Sequence, residues 1–470
     1  ISTGSPASFK PTKFVPFTTL PSFTSRQGII RLANLFITQP FLASILAKNS
    51  IKTKMKKQNP FIALKNRNFL IYWLGLGISQ SGTWMQNIAQ PWLALIITND
   101  PLLVGFVSAA QFVPIMLFSL FSGALIDKIK DKKRILYLTQ GGQCLVSLIF
   151  ALSVFFDFAS YALVLSLAFA MGVFNSLDSP TRHAFIYELV CDRAILQNAV
   201  ALNAMAVSVS RIAGPSLAGL VMASFGIGAC FLANTISFVA IFCFLFLVHL
   251  KAPDKPNLQK QNVLSAVKSA LIYIKKRDIL LTPLLILLIF ATLIPNYSVS
   301  VSALVRFELG GGDSDFGYLM AWIGVGALMG ALGSAFMSRV SLKVIYFGPF
   351  ACAFWLFCVG LAPSIFWAGV GLIFTGFSFI MSLNAINACL QLFSRAEFRG
   401  RVMSVYSLFF LGSTPLGAWF AGYLASEFGS RQGLFICSIL TAILLILLFA
   451  LKYIFSNKKR RDFLKNRAKF

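Results

Sequence analysis

The sequence predicts an all-α polytopic membrane protein with twelve transmembrane helices in two pseudo-symmetric six-helix bundles. The first indication is composition: of 470 residues, 57% are hydrophobic and 12% are charged, with a mean hydropathy of +0.78. Soluble domains carry about 25% charged residues. The second indication is a series of apolar stretches, each long enough for the roughly 20-residue helix that a bilayer requires. The third is the segregation of basic and acidic residues to alternate connections.

Twelve apolar stretches divide six plus six around a polar, basic segment. We expect each to be helical, because only helices and closed barrels satisfy the backbone hydrogen bonds inside a bilayer. The predicted spans are 68–98, 102–126, 135–156, 160–180, 196–224, 228–250, 279–303, 316–337, 342–361, 364–393, 401–425 and 431–455.

The first 54 residues differ from the rest in composition. They are rich in Ser, Thr and Pro, and they contain basic but no acidic residues. This composition is typical of a transit peptide. The first Met is Met55, however, so we favour translation from Met55, with 1–54 as a disordered extension or upstream translation.

The polar segment after the sixth span divides the chain into two halves. The sequence predicts an N-terminal bundle over 61–250, a cytoplasmic linker over 251–278, a C-terminal bundle over 279–455 and a basic cytoplasmic tail over 456–470. The second half of the linker has the pattern of an amphipathic helix on the membrane surface. Pro215 in span five and Pro415 in span eleven lie in similar small-residue stretches, which indicates an internal repeat.

Basic residues account for a net charge of +26, and their positions predict the orientation. Of 41 Lys and Arg residues, all but Arg211, Arg306 and Arg431 share one side of the twelve-span arrangement. The positive-inside rule therefore predicts cytoplasmic termini and a bacterial-type inner (plasma) membrane. The same pattern excludes a nucleic-acid partner, because no basic helix or aromatic platform lies outside the membrane.

The first span carries many amide and hydroxyl groups. Ser79, Thr83, Gln86, Asn87 and Gln90 recur at helical spacing and share one face. An unpaired buried amide costs several kcal/mol in hydrocarbon, so this face must meet other helices or water. Interhelical hydrogen bonds would explain it, but the number of amides favours one wall of a polar central cavity. Residues in other spans that would complete this cavity are Gln111, Asn175, Asn296, Asn384 and Asn387.

Charges within spans are rare and therefore informative. Arg211 lies near the middle of span five, too deep to reach the membrane surface, and could neutralise an anionic substrate. Asp178 lies near the end of span four, one helical turn before Arg182. A structural ion pair explains these two residues. Alternatively, Asp178 titrates or exchanges partners between Arg182 and Arg211, although its cationic neighbours argue against a simple proton carrier.

Other chemistries have little support in the sequence. There is no phosphate-binding loop of the type GxxxxGK[ST] and no HExxH motif. The eight Cys form no CxxC pair, and only His183 and His249 are present, which disfavours a metal site. We therefore expect no cofactor and no enzymatic activity.

Several motifs carry a resemblance to a known family. The segment GALIDK, with Gly123, Asp127 and Lys128, is similar to the loop signature between spans two and three of the major facilitator superfamily, without its second glycine. The segment GPSLAG, with Gly214 and Pro215, resembles the span-five antiporter signature, with one glycine replaced by alanine. The segments GTWMQNIAQPWL, NSLDSPTRHAFIYEL and EFRGRVMSVYSLFFLGSTPLGA resemble the branch that holds enterobactin exporters and macrolide-efflux proteins.

This resemblance covers residues 61–450 and implies proton-coupled export of a drug-like or siderophore-like small molecule by a monomer that alternates access. Two segments would then hold the cytoplasmic gate through charge contacts: the loop with Asp127 and Lys128, and SRAEFRGR with Arg399 and Arg401. Two alternatives remain open at this point. One is a nutrient importer of the same fold, and the other is a non-transporting membrane sensor or scaffold.

Overall fold

The computed structural model describes residues 61–129, 131–190, 193–248, 263–337 and 340–467. Its elements are almost entirely helical. After a short 3-10 helix at Ile62–Lys65 come α1 (Arg67–Thr98), α2 (Pro101–Lys128), α3 (Lys132–Phe155), α4 (Tyr161–Leu189), α5 (Arg193–Phe225), α6 (Ile227–Leu247), α7 (Val263–Lys275), α8 (Asp278–Leu293), α9 (Tyr297–Ala303), a π-helix (Leu304–Glu308), α10 (Asp313–Phe336), α11 (Leu342–Leu361), α12 (Ile365–Phe393), α13 (Ala396–Glu427) and α14 (Ser430–Arg467).

Within the described residues, eleven segments are long and apolar enough to cross a membrane. The remaining long helix is α1, whose 32 residues could span a bilayer but whose polar stripe lowers its mean hydropathy. Because α8, α9 and the π-helix form one segment, α1 brings the number of spans to twelve and confirms the predicted fold class. The predicted extension 1–54, the linker residues 251–262 and residues 468–470 lie outside the described residues.

Helix connections define two sides of the molecule. We call the side where α1 begins and α14 ends the linker face. The opposite side, which carries tight turns such as Asn99–Asp100 and Gly226, is the short-turn face. Asn99 and Gly226 adopt positive φ angles of 50° and 79°, which let the chain reverse between consecutive helices within one or two residues.

Three predicted spans differ clearly from the observed helices. Span twelve was expected to end at 455, but α14 continues to Arg467. Span four was expected to end at 180, but α4 continues to Leu189. Polar residues after Asp178 suggested an end to the span, yet Phe185, Ile186 and Leu189 are buried in the N-terminal bundle and extend the helix by two turns. The span predicted over 279–303 is present as one segment, but its helix is interrupted between Leu293 and Tyr297.

The break has a local cause. Pro295 has no backbone N–H and its ring disfavours a continuous helix. The Asn296 side chain donates a hydrogen bond of 2.9 Å to the Thr292 carbonyl one turn earlier, which satisfies part of the interrupted backbone. Helix α13 packs directly on this point: a Cβ atom at Gly417 would lie 1.9 Å from the Thr292 oxygen.

The two bundles meet through α5 with α10 and through α2 with α13. Both crossings use small residues, which let helix backbones approach closely. A Cβ atom at Gly219 in α5 would lie 2.1 Å from the Gly317 carbonyl oxygen in α10. A Cβ atom at Gly105 in α2 would lie 2.7 Å from the Ala418 carbonyl oxygen in α13. The repeated arrangement agrees with the pseudo-symmetry predicted from Pro215 and Pro415.

Contacts at the short-turn face hold the bundles together there. The Trp92 indole N–H donates to the Asp313 carboxylate at 2.8 Å, and its ring stacks on Phe316 with centroids 4.7 Å apart. The Ser426 hydroxyl donates to the Asp100 carboxylate at 3.0 Å. These bonds join α1 to α10 and α13 to α2, so this conformation is closed at the short-turn face.

The linker helix α7 belongs with the C-terminal bundle. The Tyr273 ring stacks on Phe398 of α13, with centroids 4.3 Å apart and planes 4° apart. The backbone N–H of Arg395 donates to the Tyr273 hydroxyl, and Arg401 donates to Ser269. The amphipathic helix predicted in the second half of the linker is therefore present and fixed to the start of α13.

Candidate functional site: two buried arginine centres

Two arginines within the N-terminal bundle have different surroundings, and each organises a polar centre. The first, which we call the Arg211 centre, comprises Arg211, Trp84, Tyr297, Tyr406 and Phe410. It lies between the bundles and draws residues from α1, α5, α9 and α13. The second, the Asp178 network, comprises Asp178, Arg182, Thr139 and Gln140. It lies inside the N-terminal bundle between α3 and α4.

Arg211 lies near the middle of the 33-residue helix α5 and is placed between aromatic rings of both bundles. Its Cζ atom is 5.4 Å from the ring centroid of Trp84 in α1 and 5.1 Å from that of Phe410 in α13. Cation–π contacts at this distance contribute about 0.5–2 kcal/mol each. They hold the guanidinium beside both rings, and a guanidinium can bind a planar anion through two of its N–H groups.

No carboxylate neutralises Arg211 in the described part of the chain, where the ion pairs are Arg182–Asp178 and Arg431–Glu308. The Arg211 Nε atom is buried without a hydrogen-bond partner. Its electrostatic neighbours are the hydroxyls of Tyr406 and Tyr297. Because an uncompensated charge is costly in a low-dielectric interior, the centre has the character of an anion-binding site.

Gly214 positions Trp84 for this contact. A Cβ atom at Gly214 would lie 2.3 Å from Trp84 Cβ, closer than any side chain tolerates. The glycine therefore lets α5 approach α1 and sets the indole beside Arg211, one turn away. The next residue, Pro215, is buried inside α5, which continues through it without interruption.

Asn387 is linked to the Arg211 centre through Tyr406, with which it shares a side-chain hydrogen bond. It also accepts a hydrogen bond from Gln391 on its own helix. Asn384, one turn earlier in α12, instead donates to Ser334 of α10 at 2.9 Å. Of the two α12 asparagines predicted for the cavity, only Asn387 contacts this centre.

The polar stripe of α1 divides between two environments. Gln86 is 1% exposed, and its carbonyl oxygen accepts hydrogen bonds from Ser147 of α3 at 2.8 Å and Asn234 of α6 at 2.7 Å. This is the interhelical bonding that the sequence left as an alternative. Ser79 faces the same way, toward Gln140 of α3 at 3.4 Å, and the Thr83 hydroxyl donates to the Ser79 carbonyl.

Farther along α1, Asn87 accepts a hydrogen bond of 2.6 Å from Gln111 of α2. Gln90 is fully buried, and neither polar atom of its side chain has a partner within the described residues. Asn175 accepts from Gln143 of α3 at 3.1 Å. Asn296 bonds at the helix break, so Gln90 is the predicted cavity residue whose side chain has no partner within the described residues. The cavity itself stays a prediction.

The Asp178 network is a complete set of partners around one buried carboxylate. Asp178 is 2% exposed, and one of its oxygens accepts from Thr139 at 3.0 Å and Gln140 at 2.6 Å. The other oxygen contacts the Arg182 guanidinium one turn along α4. The predicted Asp178–Arg182 pair is therefore present.

The predicted gate residues are only partly described. The side chains of Asp127 and Lys128 lie outside the described residues, although their backbone ends α2. Arg399 donates to the Gln391 carbonyl at 3.0 Å, and Arg401 reaches Ser269 of α7 at 3.2 Å. Both arginines thus contact the C-terminal bundle in this conformation, and their gating role stays a prediction.

Sequence reasoning missed four residues that complete these sites, Tyr406, Phe410, Thr139 and Gln140, and it also missed the contact of Asp313 at the short-turn face. Phe410 has no polar signal and could not be told from packing residues. Gln140 lies in the segment TQGGQC of α3, where amides at helical spacing were a usable signal. Asp313 lies in one of the connections that carry acidic residues. Its hydrogen bond to Trp92 could not be predicted, because it depends on which helices pack together.

A family model described as transmembrane secretion effector matches residues 58–466 of the chain. The staphyloferrin A transporter of Staphylococcus aureus is 26% identical over 256 residues, which cover 53% of this chain and 62% of that protein. The match thus spans less than two thirds of that relative. The multidrug efflux pump Tap of Mycolicibacterium fortuitum is 24% identical over 359 residues, covering 74% of this chain and 87% of the pump.

The fold is similar to solved transporters. A crystal structure of a bacterial homolog of the human lysosomal transporter Spinster superposes with a TM-score of 0.65 at 14% identity, covering 82% of this chain and 96% of the other. At this identity the likeness shows the fold alone.

Proposed function

The chain belongs to the transmembrane secretion effector family of the major facilitator superfamily, and from this we propose that it exports a small organic anion by alternating access. It is a multi-pass membrane transporter and not an enzyme. The observation that carries the proposal is Arg211, a cation at the bundle interface without a carboxylate partner among the described residues. A transported anion would neutralise it.

The aromatic residues around Arg211 favour a particular kind of cargo. The rings of Trp84 and Phe410 both contact the guanidinium, so an anion bound at its N–H edge would also lie beside aromatic surface. A carboxylate or catecholate matches that edge with two parallel hydrogen bonds. The names of two relatives, a siderophore transporter and a multidrug efflux pump, support a drug-like or siderophore-like molecule as the cargo.

The export direction is proposed from the family description and from the name of the efflux pump among the relatives, and the orientation that we propose fits the described conformation into that cycle. The linker face carries most of the basic residues, so the positive-inside rule assigns it to the cytoplasm. The described conformation is closed at the short-turn face by Trp92, Asp313 and Phe316. It would take up cargo from the cytoplasmic side, and separation of the α1–α10 and α2–α13 contacts would release it outside.

We assign proton coupling to the Asp178 network. Asp178 is the buried carboxylate in the span bodies of the N-terminal half, and its ion pair with Arg182 fixes the linker-face end of α4. Separation of Asp178 from Arg182 would loosen α4 against α3. Exchange of a proton for the cargo anion could then bias the bundle equilibrium without any metal or cofactor.

The test uses inverted membrane vesicles with a catecholate siderophore, a macrolide and a cationic dye as cargoes, with and without a proton gradient. We expect gradient-dependent accumulation of the catecholate. Arg211→Gln should reduce it about tenfold to a hundredfold, because a charge-assisted hydrogen bond contributes about 1.5–3 kcal/mol. Arg211→Lys should retain part of the activity, and Ser208→Ala, on the exposed side of α5, should retain all of it.

Asp178→Asn separates coupling from cargo binding. We expect it to abolish the response to the gradient while catecholate binding persists.

Accumulation of the dye but not of the anion, unchanged in Arg211→Gln, would overturn the anion assignment. Accumulation in right-side-out vesicles only would indicate an importer, and binding without flux in either orientation would indicate a sensor.

A further inference from the structure

A surface cavity of about 640 Å³ lies at the linker face between the start of α3 and the end of α6. None of its lining residues belongs to either arginine centre, and it has no part in the proposed transport cycle. Its walls are Asp131, Lys133, Arg134, Tyr137, Phe242, Phe246, Leu247 and Val248. One end is charged and the other is aromatic and aliphatic, so the cavity is amphipathic along its length.

We infer that this cavity binds an anionic phospholipid, with the phosphate at Lys133 and Arg134 and an acyl chain along α3 and α6. The two cations occupy the first turn of α3, at the level where α6 ends. Phospholipid headgroups lie at this depth, and basic pockets between spans on the cytoplasmic side are suited to them.

The charged end is held in place by the protein. The Lys133 ammonium donates to the Val248 carbonyl at 2.7 Å and lies 5.8 Å from the Tyr137 ring centroid. This hydrogen bond uses one of its three donors and leaves two. Arg134 is exposed. Asp131 also lines the cavity, but its carboxylate accepts from the Arg134 backbone N–H at 3.0 Å as the cap of α3.

The apolar end continues into the bilayer. Phe242 contacts Tyr137 edge to face with centroids 4.7 Å apart, and Phe246 is 75% exposed. Gly141 follows one turn after Tyr137, and a Cβ atom there would meet only Phe242, at 4.0 Å. The missing side chain leaves a shallow groove between α3 and α6, in which an acyl chain fits.

The charge pattern favours a phospholipid over a second protein chain. Lys133 and Arg134 outweigh Asp131, so the charged end attracts an anion. Apart from Tyr137, the side chains that line the rest of the cavity are apolar. A molecule with one anionic group and long apolar chains fits both ends at once.

The experiment is native mass spectrometry of the full chain in detergent, titrated with dioleoylphosphatidylglycerol, dioleoylphosphatidylcholine or sn-glycerol 3-phosphate. We expect phosphatidylglycerol to bind most tightly. Arg134→Gln should weaken its binding about fivefold, the effect of one basic residue near an anionic surface, and leave phosphatidylcholine unaffected. Gly141→Leu, which fills the groove without a change of charge, should weaken both lipids. Circular dichroism verifies that the variants are folded.

Lys343 provides the matched control. It is an exposed basic residue in the first turn of α11, the C-terminal counterpart of α3, and Lys343→Gln should bind phosphatidylglycerol like the parent protein. Equal losses in Lys343→Gln and Arg134→Gln would indicate diffuse attraction and overturn the site. Equal binding of the two lipids by the parent protein, or equally tight binding of glycerol phosphate, would overturn it as well.

Discussion

Arg182 and Arg211 are both arginines, in consecutive helices of the same bundle, but their surroundings differ. Arg182 has a carboxylate partner, and Arg211 has none within the described residues. Arg182 pairs with Asp178, whose other oxygen binds Thr139 and Gln140. Arg211 lies between two aromatic rings and forms no ion pair within the described residues. The comparison teaches that a buried cation paired with a carboxylate maintains structure, whereas one without such a partner is available to a ligand.

Removal of Arg182 should have the largest effect on stability. Arg182→Met leaves Asp178 buried without its cation, and breaking such a pair costs about 3–5 kcal/mol of unfolding free energy. Unfolding of the purified protein in mixed micelles, followed by circular dichroism, measures it. The double variant with Asp178→Asn should recover most of the loss, because no buried charge remains. An unaltered unfolding curve for Arg182→Met would show that the pair is not structural.

Gly214→Ala should have the next largest effect on stability, because it displaces Trp84, one of the aromatic residues of the Arg211 centre. The added methyl group would collide with Trp84 Cβ at 2.3 Å, and overpacking of this kind costs about 1–3 kcal/mol. Transport should fall at the same time, because the indole moves away from Arg211. Gly77→Ala is the control, since a Cβ atom there meets nothing within 4 Å. Similar behaviour of the two variants would contradict the positioning role of Gly214.

Trp92→Phe tests whether the contacts at the short-turn face hold the conformation in which Arg211 faces the linker side. The variant keeps the stack on Phe316 but loses the bond to Asp313, worth about 1.5–3 kcal/mol when the acceptor is charged. Spin labels on both bundles should report a larger open fraction at this face by pulsed electron resonance. Trp367→Phe, at an exposed tryptophan, should leave the distance distribution unaltered. If Trp92→Phe also leaves the distance distribution unaltered, the bond between Trp92 and Asp313 does not hold the short-turn face closed.

Arg211→Met should have the smallest effect on stability and complete the comparison. The substitution removes two cation–π contacts, which destabilises the fold. It also removes the cost of burying an unneutralised cation, which stabilises the fold. We expect the unfolding free energy to change by about 1 kcal/mol or less, in either direction, while anion transport is lost. The micelle unfolding assay used for Arg182→Met gives a direct comparison. A loss as large as that of Arg182→Met would mean that Arg211 also has a structural partner.

Much of the fold could be predicted from the sequence, because span length, helical periodicity and the distribution of basic residues are local properties. The stripe from Ser79 to Gln90, the mid-span position of Arg211 and the Asp178–Arg182 spacing all follow from helix geometry. The end of α4 could not be predicted, because its last turns are stabilised by burial of Phe185 and Leu189 against other helices. The break before Tyr297 could be predicted as a bend at Pro295 but not as an interruption.

The sequence by itself determined the class of protein, the number of spans and the residues that cannot face lipid. Only the tertiary structure decided which polar groups satisfy one another. Gln86 turned toward Ser147 and Asn234, away from any central cavity, while Arg211 met Phe410 from the other bundle. A helix fixes the face on which a side chain lies, but the groups opposite that face depend on how the helices pack.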